Sequence, residues 1–415
     1  MQNYKHLFPI FKKSASRRTD LVYLDSGATA LKPQMVLDKM MEYYSEYSAN
    51  IHRGLYPISE RATVEYEKVR EKVAKFIGAE KETEIIFTSG TTASVNLVAR
   101  GWGEVNLKEG DEIVVSEIEH HSNLVPWQQL ARRLKLNIKY IPYENEKLLI
   151  TNYELLITKR TKLLALTHVS NVLGQINPIK EIVKKAREIN PGICVVVDGA
   201  QAVPHIPVNV TDLDVDFYAF SGHKLYGPTG VGVLYTKAKR QMQMNPDNFG
   251  GGMIKMVTLE ESTWASGPEK FEAGTPPIAE VIGLGTAIDF VNSIGFEEIQ
   301  NHERELIKYL LDKLREIDWI EVLGSVETEN RLGVVSLFSR KLGMGTSHDI
   351  ADILGRDFNV CTRAGHHCAM PLHEKNDLLT GTVRVSLGIY NDKSDIDRLI
   401  LGLSKIEKIF NHLTI

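Results

Sequence analysis

Cysteine is scarce in this 415-residue chain, with three residues, Cys194, Cys361 and Cys368. Three are too few for a disulfide framework and fit a reducing compartment. Long apolar runs are missing too, since none approaches the roughly 18 residues that span a bilayer. Neither sign of charge dominates: 49 Lys and Arg stand against 53 Asp and Glu. The net charge of −4 therefore gives no electrostatic reason to expect nucleic acid or an anionic membrane as partner. No internal repeat, low-complexity tract or long linker interrupts the chain.

What is present is ordinary globular composition, 43% hydrophobic and 25% charged, at a length that favours two domains. The N-terminus, MQNYKHLFPIFKKSASRRTD, is basic and acid-poor, which raises a transit peptide. Its apolar part, HLFPIF, is too short for a signal segment and contains Pro9. The expectation is a terminal arm over residues 1–20 that packs with the small domain, and a cytoplasmic location.

From about residue 84 to 237, short β-branched runs (EIIFTS, DEIVVSEI, NIKYIPY, KLLALTHV, ICVVVDGA, DFYAFS, GVGVLYT) alternate with segments of helical spacing such as WQQLARRLKL and KEIVKKAREI. This alternation predicts an α/β fold, a mostly parallel seven-stranded sheet with helices on both faces. After about residue 276 the pairing of strand with helix stops. Two helices flank Gly295, then come strands in RLGVVSLFS and GTVRVSLGIY, and a last helix with Ser394 and Asp397 spaced as a capping box. That texture predicts a smaller α+β domain over 293–415, after a large domain over 21–292.

In parallel sheets ligands sit beyond the carboxyl ends of the strands, so the polar residues after each apolar run matter most. TSGTT supplies Thr91 and Thr92 at a helix start, either a plain threonine cap or a phosphate seat. EHHSN supplies His120 and His121, and THVSN supplies Asn171; each alone reads as a structural residue. Asp198 is sharper, because it closes a run of three valines where a carboxylate is costly without a partner. Lys224 follows 26 residues on, beside Ser221 and His223. A buried Asp, a strand-end Lys, a phosphate seat and a flat His together suit pyridoxal 5′-phosphate. The lysine forms the Schiff base, and the carboxylate keeps the ring nitrogen protonated.

The motifs YLDSGATALKP, NIHRGLYPIS, TSGTTASVNLVA, VDGAQAVPH, SGHKLYGPTGVGVLY, FEAGTPP and TRAGHHCAMPLH run nearly end to end. With them the chain resembles the class V aminotransferase-like enzymes of fold type I, and specifically the cysteine desulfurases. The resemblance implies that Lys224 carries the cofactor, Asp198 partners its nitrogen, Gln201 and Asn171 touch its phenolic oxygen, and His120 stacks on the ring. Thr91, Thr92, Ser221 and His223 are implied at the phosphate, completed by Thr275 from a neighbouring subunit of a homodimer. Arg384 is implied as the clamp for the substrate carboxylate, with Arg363, Ala28, His52 and Arg53 on the substrate side. Relatives often have two alanines where this chain has Gly27-Ala28.

The cysteine after R-x-G-H-H resembles the second, Suf-type group. It implies that Cys368 takes sulfur from L-cysteine as a persulfide, leaving L-alanine. An acceptor of the SufE or SufU type would then carry the sulfur to iron–sulfur cluster assembly. Arg363, His366 and His367 are expected to favour the thiolate by charge, whereas Cys194, inside ICVVV, reads as an inert thiol. A zinc site from Cys361, His366, His367, Cys368 and His373 competes, but the spacing matches no common ligand pattern. Selenocysteine lyase shares the cofactor and fold. A nucleotide-binding protein using GTT or GLGTAI lacks GxxxxGK[ST] and, at Gly283-Leu284-Gly285, a third glycine. A sulfur carrier without catalysis leaves the Asp198–Lys224 pairing unexplained.

Overall fold

The computed structural model describes residues 3–12, 20–144, 147–148, 156–341 and 346–413. Residues 1–2 and 13–19 of the expected arm lie outside them. The seven expected strands form one sheet: β1 (Ile85–Thr88), β2 (Glu112–Ser116), β3 (Asn137–Ile141), β4 (Thr161–Thr167), β5 (Cys194–Asp198), β6 (Phe217–Ser221) and β7 (Gly232–Thr236). Their order is β1-β7-β6-β5-β4-β2-β3, and β7 alone runs antiparallel to its neighbours.

Both faces of the sheet are covered, which is why its strands read as unbroken apolar runs. Along β5, Val195 and Val197 join one core cluster while Cys194 and Val196 join the other. The first cluster takes in α2 (Pro57–Ile77), α5 (Ile179–Ile189) and α6 (Ile278–Ile294); the second takes in α3 (Thr91–Leu97) and α4 (Val125–Leu134). Cys194 is fully buried, and burial pushes its thiol pKa up. Gly283 and Gly285 lie within α6 and let neighbours approach closely. A Cβ on Gly285 would fall 2.5 Å from Val69. They are packing glycines and do not form a phosphate loop.

The C-terminal layer is a four-stranded antiparallel sheet of β8 (Glu321–Val322), β9 (Val334–Phe338), β10 (Arg363–Gly365) and β11 (Thr382–Ser386), in the order β8-β9-β11-β10. It shares a core with α7 (Phe296–Leu314) and α9 (Lys393–Leu413). Val22–Tyr23 pairs in parallel with Val360–Cys361, and Val22 and Leu24 enter that same core. These residues, expected in the large domain, thus pack with the smaller layer. The last helix is capped two residues earlier than its sequence suggests. Asp392 Oδ1 accepts from the N–H groups of Ser394 (2.9 Å) and Asp395 (3.3 Å), and Asp395 Oδ2 accepts from Asp392 N–H at 3.2 Å.

The arm bridges the layers. Phe8 is fully buried against Tyr390, Phe290 and Tyr226, at ring-centroid distances of 4.9, 5.7 and 6.1 Å. Lys5 pairs with Asp392 and Asp395 at 2.9 and 2.7 Å. Among the described residues no single helix is long and apolar enough to cross a membrane.

Candidate active site

Adjacent parallel strands bring the two sharpest sequence signals together. Asp198 pairs in register with Ala219 on β6, and Lys224 lies one short turn beyond that strand. Both line one cleft with about 830 Å³ of empty space. Asp198 is buried, and among the described residues its carboxylate accepts one hydrogen bond, at Oδ1 from Ala200 N–H at 2.9 Å. Burial raises its carboxyl pKa, opposed by the Lys224 ammonium. Burial brings Lys224 down to about 8, against the pull of Asp198 and with Arg384 adding to the shift. Among the described residues, its Nζ has no hydrogen-bond or ion-pair partner. A buried carboxylate with unused acceptor capacity, beside an unpartnered amine, is the donor set that pyridoxal phosphate would complete.

The expected phosphate seat begins at Gly90, whose φ of 150° suits glycine. A Cβ on Gly232 would sit 2.4 Å from Gly90 Cα, so β1 and β7 converge here through two glycines. Ser221 Oγ accepts from Thr91 N–H at 2.9 Å and lies 2.7 Å from Thr91 Oγ1. Thr92 Oγ1 lies 2.7 Å from Ser122 Oγ. His223 holds its chain by its carbonyl, which accepts from Ala30 N–H at 3.0 Å and Lys32 Nζ at 3.0 Å. Its imidazole lines the cleft, held down to about 4 by burial and then by Lys224 and Lys32.

Of the two candidate histidines, His120 lines the cleft. Its Nδ1 accepts from Ser122 N–H at 3.0 Å, and burial, then Lys224, bring it down to about 3. The ring is neutral. His121 turns away, its Nε2 accepting from Met370 N–H at 3.1 Å. The loop is fixed from below by Glu119, unremarked in the sequence, which accepts from Thr167 N–H at 2.9 Å and Asn123 Nδ2 at 2.7 Å. Burial raises Glu119 to about 8.

Gln201 and Asn171 also line the cleft, and each ties down its rim. Gln201 Nε2 donates to Gly27 O at 2.8 Å, and Asn171 Nδ2 donates to His367 O at 2.7 Å. Gly27 N–H donates to Ser386 Oγ at 2.8 Å, and a Cβ there would lie 3.2 Å from Ser386, a narrow but not closed fit. Ala28 lines the cleft beside it.

Two arginines line the cleft as well. Arg384, 3% exposed, donates from Nη1 to Asn171 O at 3.2 Å and from Nη2 to Asp25 Oδ1 at 3.1 Å. Arg363, half exposed, gives Nε to both oxygens of Asp25, at 3.3 and 3.1 Å. Asp25 carries no signal of its own in the sequence beyond its place in YLDSGA. Each η nitrogen of Arg384 keeps a second hydrogen, enough for a carboxylate.

Cys368 is exposed and lines the same cleft. It and His367 take left-handed backbone angles in succession, φ 58° and 50°, a costly conformation for non-glycine residues. The turn is held by the Cys368 carbonyl, which accepts from His121 N–H at 2.7 Å, and by a chain of side chains. His373 Nδ1 faces Ala369 O at 2.9 Å, so its Nε2 accepts from Thr382 Oγ1 at 3.1 Å. Thr382 Oγ1 in turn accepts from His367 Nε2 at 2.9 Å. The expectation that His367 supplies charge is corrected. Burial, then Arg384, lower it to about 2, and it is a neutral strut. His366 Nε2 lies 2.8 Å from Leu379 O. Among the described residues no group of three or more His, Cys, Asp or Glu is placed to hold a metal.

Three expected residues lie away from the cleft of their own chain. Thr275 lines a separate cavity with Tyr66, Phe87 and Arg100. His52 is exposed, its Nε2 3.0 Å from Glu67, and Arg53 is exposed beside it.

The family model described as aminotransferase class-V matches residues 22–399. The chain belongs to that family. Its sequence is 46% identical to a probable cysteine desulfurase of Halalkalibacterium halodurans, over 99% of this chain and 98% of that one. An apo structure of a cysteine desulfurase from Thermococcus onnurineus superposes at TM-score 0.90 with 39% identity, covering 99% of both chains. A cysteine desulfurase of Escherichia coli gives 0.88 and 36%, covering 98% of both. Pyridoxal phosphate is the cofactor of this class V chain, and the Asp198–Lys224 cleft has the groups to hold it.

Proposed function

We propose that this chain is a cysteine desulfurase, using pyridoxal phosphate to convert L-cysteine to L-alanine with a persulfide left on Cys368. The observation that carries the reading is Cys368, exposed on a strained turn and lining one cleft with Lys224, Asp198 and Arg384. When bound, the cofactor supplies an electron sink for charge that develops at the substrate's Cα. Asp198 holds a proton at the ring nitrogen, and Lys224 Nζ removes and returns the proton at Cα. Arg384 holds the carboxylate. Cys368 Sγ, as thiolate, forms an S–S bond while the substrate's Cβ–S bond breaks; the electron pair left at Cβ takes a proton, which completes the methyl group of alanine.

We further infer a cytoplasmic homodimer in which Thr275 of each chain reaches the other's phosphate seat. The acceptor is inferred to be a protein of the SufE or SufU type, serving iron–sulfur cluster assembly. Purified holoenzyme should release alanine from L-cysteine, and sulfide when a reductant is added. Cys368→Ser should lose that turnover and keep its visible cofactor band, and Lys224→Ala should lose both. Undiminished alanine release by Cys368→Ser would remove the reading.

A further inference from the structure

Arg70, on α2, is 3% exposed, and its N–H donors are all engaged. Nη1 and Nη2 grip Glu272 side by side, reaching Oε1 at 2.7 Å and Oε2 at 2.9 Å. Nη1 also donates to Ile85 O at 2.8 Å, while Nε and Nη2 reach the two oxygens of Glu67 at 2.8 and 3.5 Å. The guanidinium rests over the Phe87 ring, 4.6 Å from its centroid. Glu272 Oε1 accepts in addition from Phe87 N–H at 2.7 Å, so the segment that carries it is pinned to β1. Glu67 Oε1 lies 3.0 Å from His52 Nε2, and Thr63 Oγ1 accepts from His52 N–H at 2.9 Å. These contacts hold His52 at φ 73°, a left-handed conformation that is costly outside glycine. One buried guanidinium thus ties down two short segments with exposed tips: His52 with Arg53, and Thr275 just beyond Glu272. They hold the expected residues that lie outside the cleft of their own chain.

From this arrangement we infer that Arg70 is a positioning residue for the neighbouring subunit's site: it fixes, as one unit, the segments a chain presents to its partner. The inference rests on the reading that Thr275 reaches the other chain's phosphate seat. Side-by-side hydrogen bonds between charged groups fix direction as well as distance. Glu272 therefore cannot turn about Arg70, and that constraint passes along the chain to Thr275. The Glu272 side chain is 9% exposed, so the pair is a rigid joint and not a loose surface contact. A lysine at position 70 would keep the charge, but its single ammonium cannot span both oxygens of Glu272 and Glu67 together.

The test places Arg70→Lys and Lys224→Ala in two mixed dimers of equal composition. In the first, both changes lie on one chain and the other chain is wild type. In the second, each chain carries one change. Each dimer keeps one Lys224, so titrating the apo dimer with pyridoxal phosphate and following the visible band reads that site alone. The first dimer should bind the cofactor more weakly, by roughly fivefold or more, as loss of a well-formed hydrogen bond would. The second should match a dimer with Lys224→Ala on one chain alone, since its live site takes Thr275 from a chain with Arg70 intact. The reverse order, or equal affinity in both dimers, would overturn the inference. Glu272→Gln, placed in the same two ways, should give the same order and decides the question if Arg70→Lys folds poorly. Thr275→Val in the two arrangements checks the underlying reading. If it weakens the first dimer and Arg70→Lys does not, the role of Arg70 falls and the shared site stands. If it weakens the second dimer instead, the shared site itself fails.

Discussion

Lys224 shows how one residue acquires its chemistry from its surroundings. Burial brings its pKa from 10.5 to about 8, with Asp198 pulling the other way. A lowered amine pKa means that the neutral, nucleophilic form is gained as pH rises through 8, where a solvated lysine would still be charged. Addition of pyridoxal phosphate to the apo chain should therefore speed up with a midpoint near pH 8, measurable as the rise of the visible band. A midpoint near 10 would show that the cleft does not desolvate the amine. The lysine and Asp198 were legible in the sequence because each follows an apolar run that a buried strand explains, aromatic before Lys224 and β-branched before Asp198. Asp25 and Glu119 were not. Asp25 meets Arg384 across 359 positions, and Glu119 meets Thr167 across 48, and nothing local to either residue announces a partner that far away.

Among the elements, the strands and the helices beside them could be read because their apolar periods are clean. The helix α1 (Gln34–Glu46) could not. It buries Val36 and Tyr43 but leaves Met35, Leu37, Met41 and Tyr44 exposed, which blurs the stripe that marks a helix. The start of α9 was misread by two residues because Asp392, not Ser394, caps it. The N-terminal arm was expected to pack, and the structure shows what it packs on: Phe8 sits against Tyr226, two residues past Lys224, and Tyr390, four residues past the end of β11. Tyr226 Oη accepts from Ile389 N–H at 3.1 Å, so the arm's ring wedges a contact between the lysine turn and the C-terminal layer. Phe8→Ala should cost about 3–5 kcal/mol, the range for emptying a buried aromatic site. Chemical denaturation should show it as a lower midpoint with an unchanged slope, and no loss beyond 1 kcal/mol would mean that the arm is dispensable.

At the scale of the whole molecule, one chain holds every expected cleft residue except Thr275, His52 and Arg53. The same chain exposes large apolar side chains that a solitary protein has little reason to present: Leu259, beyond β-hairpin residues Met256 and Val257, and Leu55, Tyr56 and Ile58 near the start of α2. A second copy covering these faces would account for both facts, and subunit complementation separates it from a self-contained site. Thr275→Val should weaken cofactor affinity by roughly tenfold or more, as loss of a hydrogen bond to a charged group does, and Lys224→Ala should be inactive. In a mixed dimer, the chain that keeps Lys224 receives an intact Thr275 from its Lys224→Ala partner, and one complete site reappears. Co-expressed variants assayed at limiting pyridoxal phosphate should therefore exceed the summed activities of the two parents. If Thr275 served its own chain, neither chain of the mixed dimer would hold both residues, and no gain could arise from mixing.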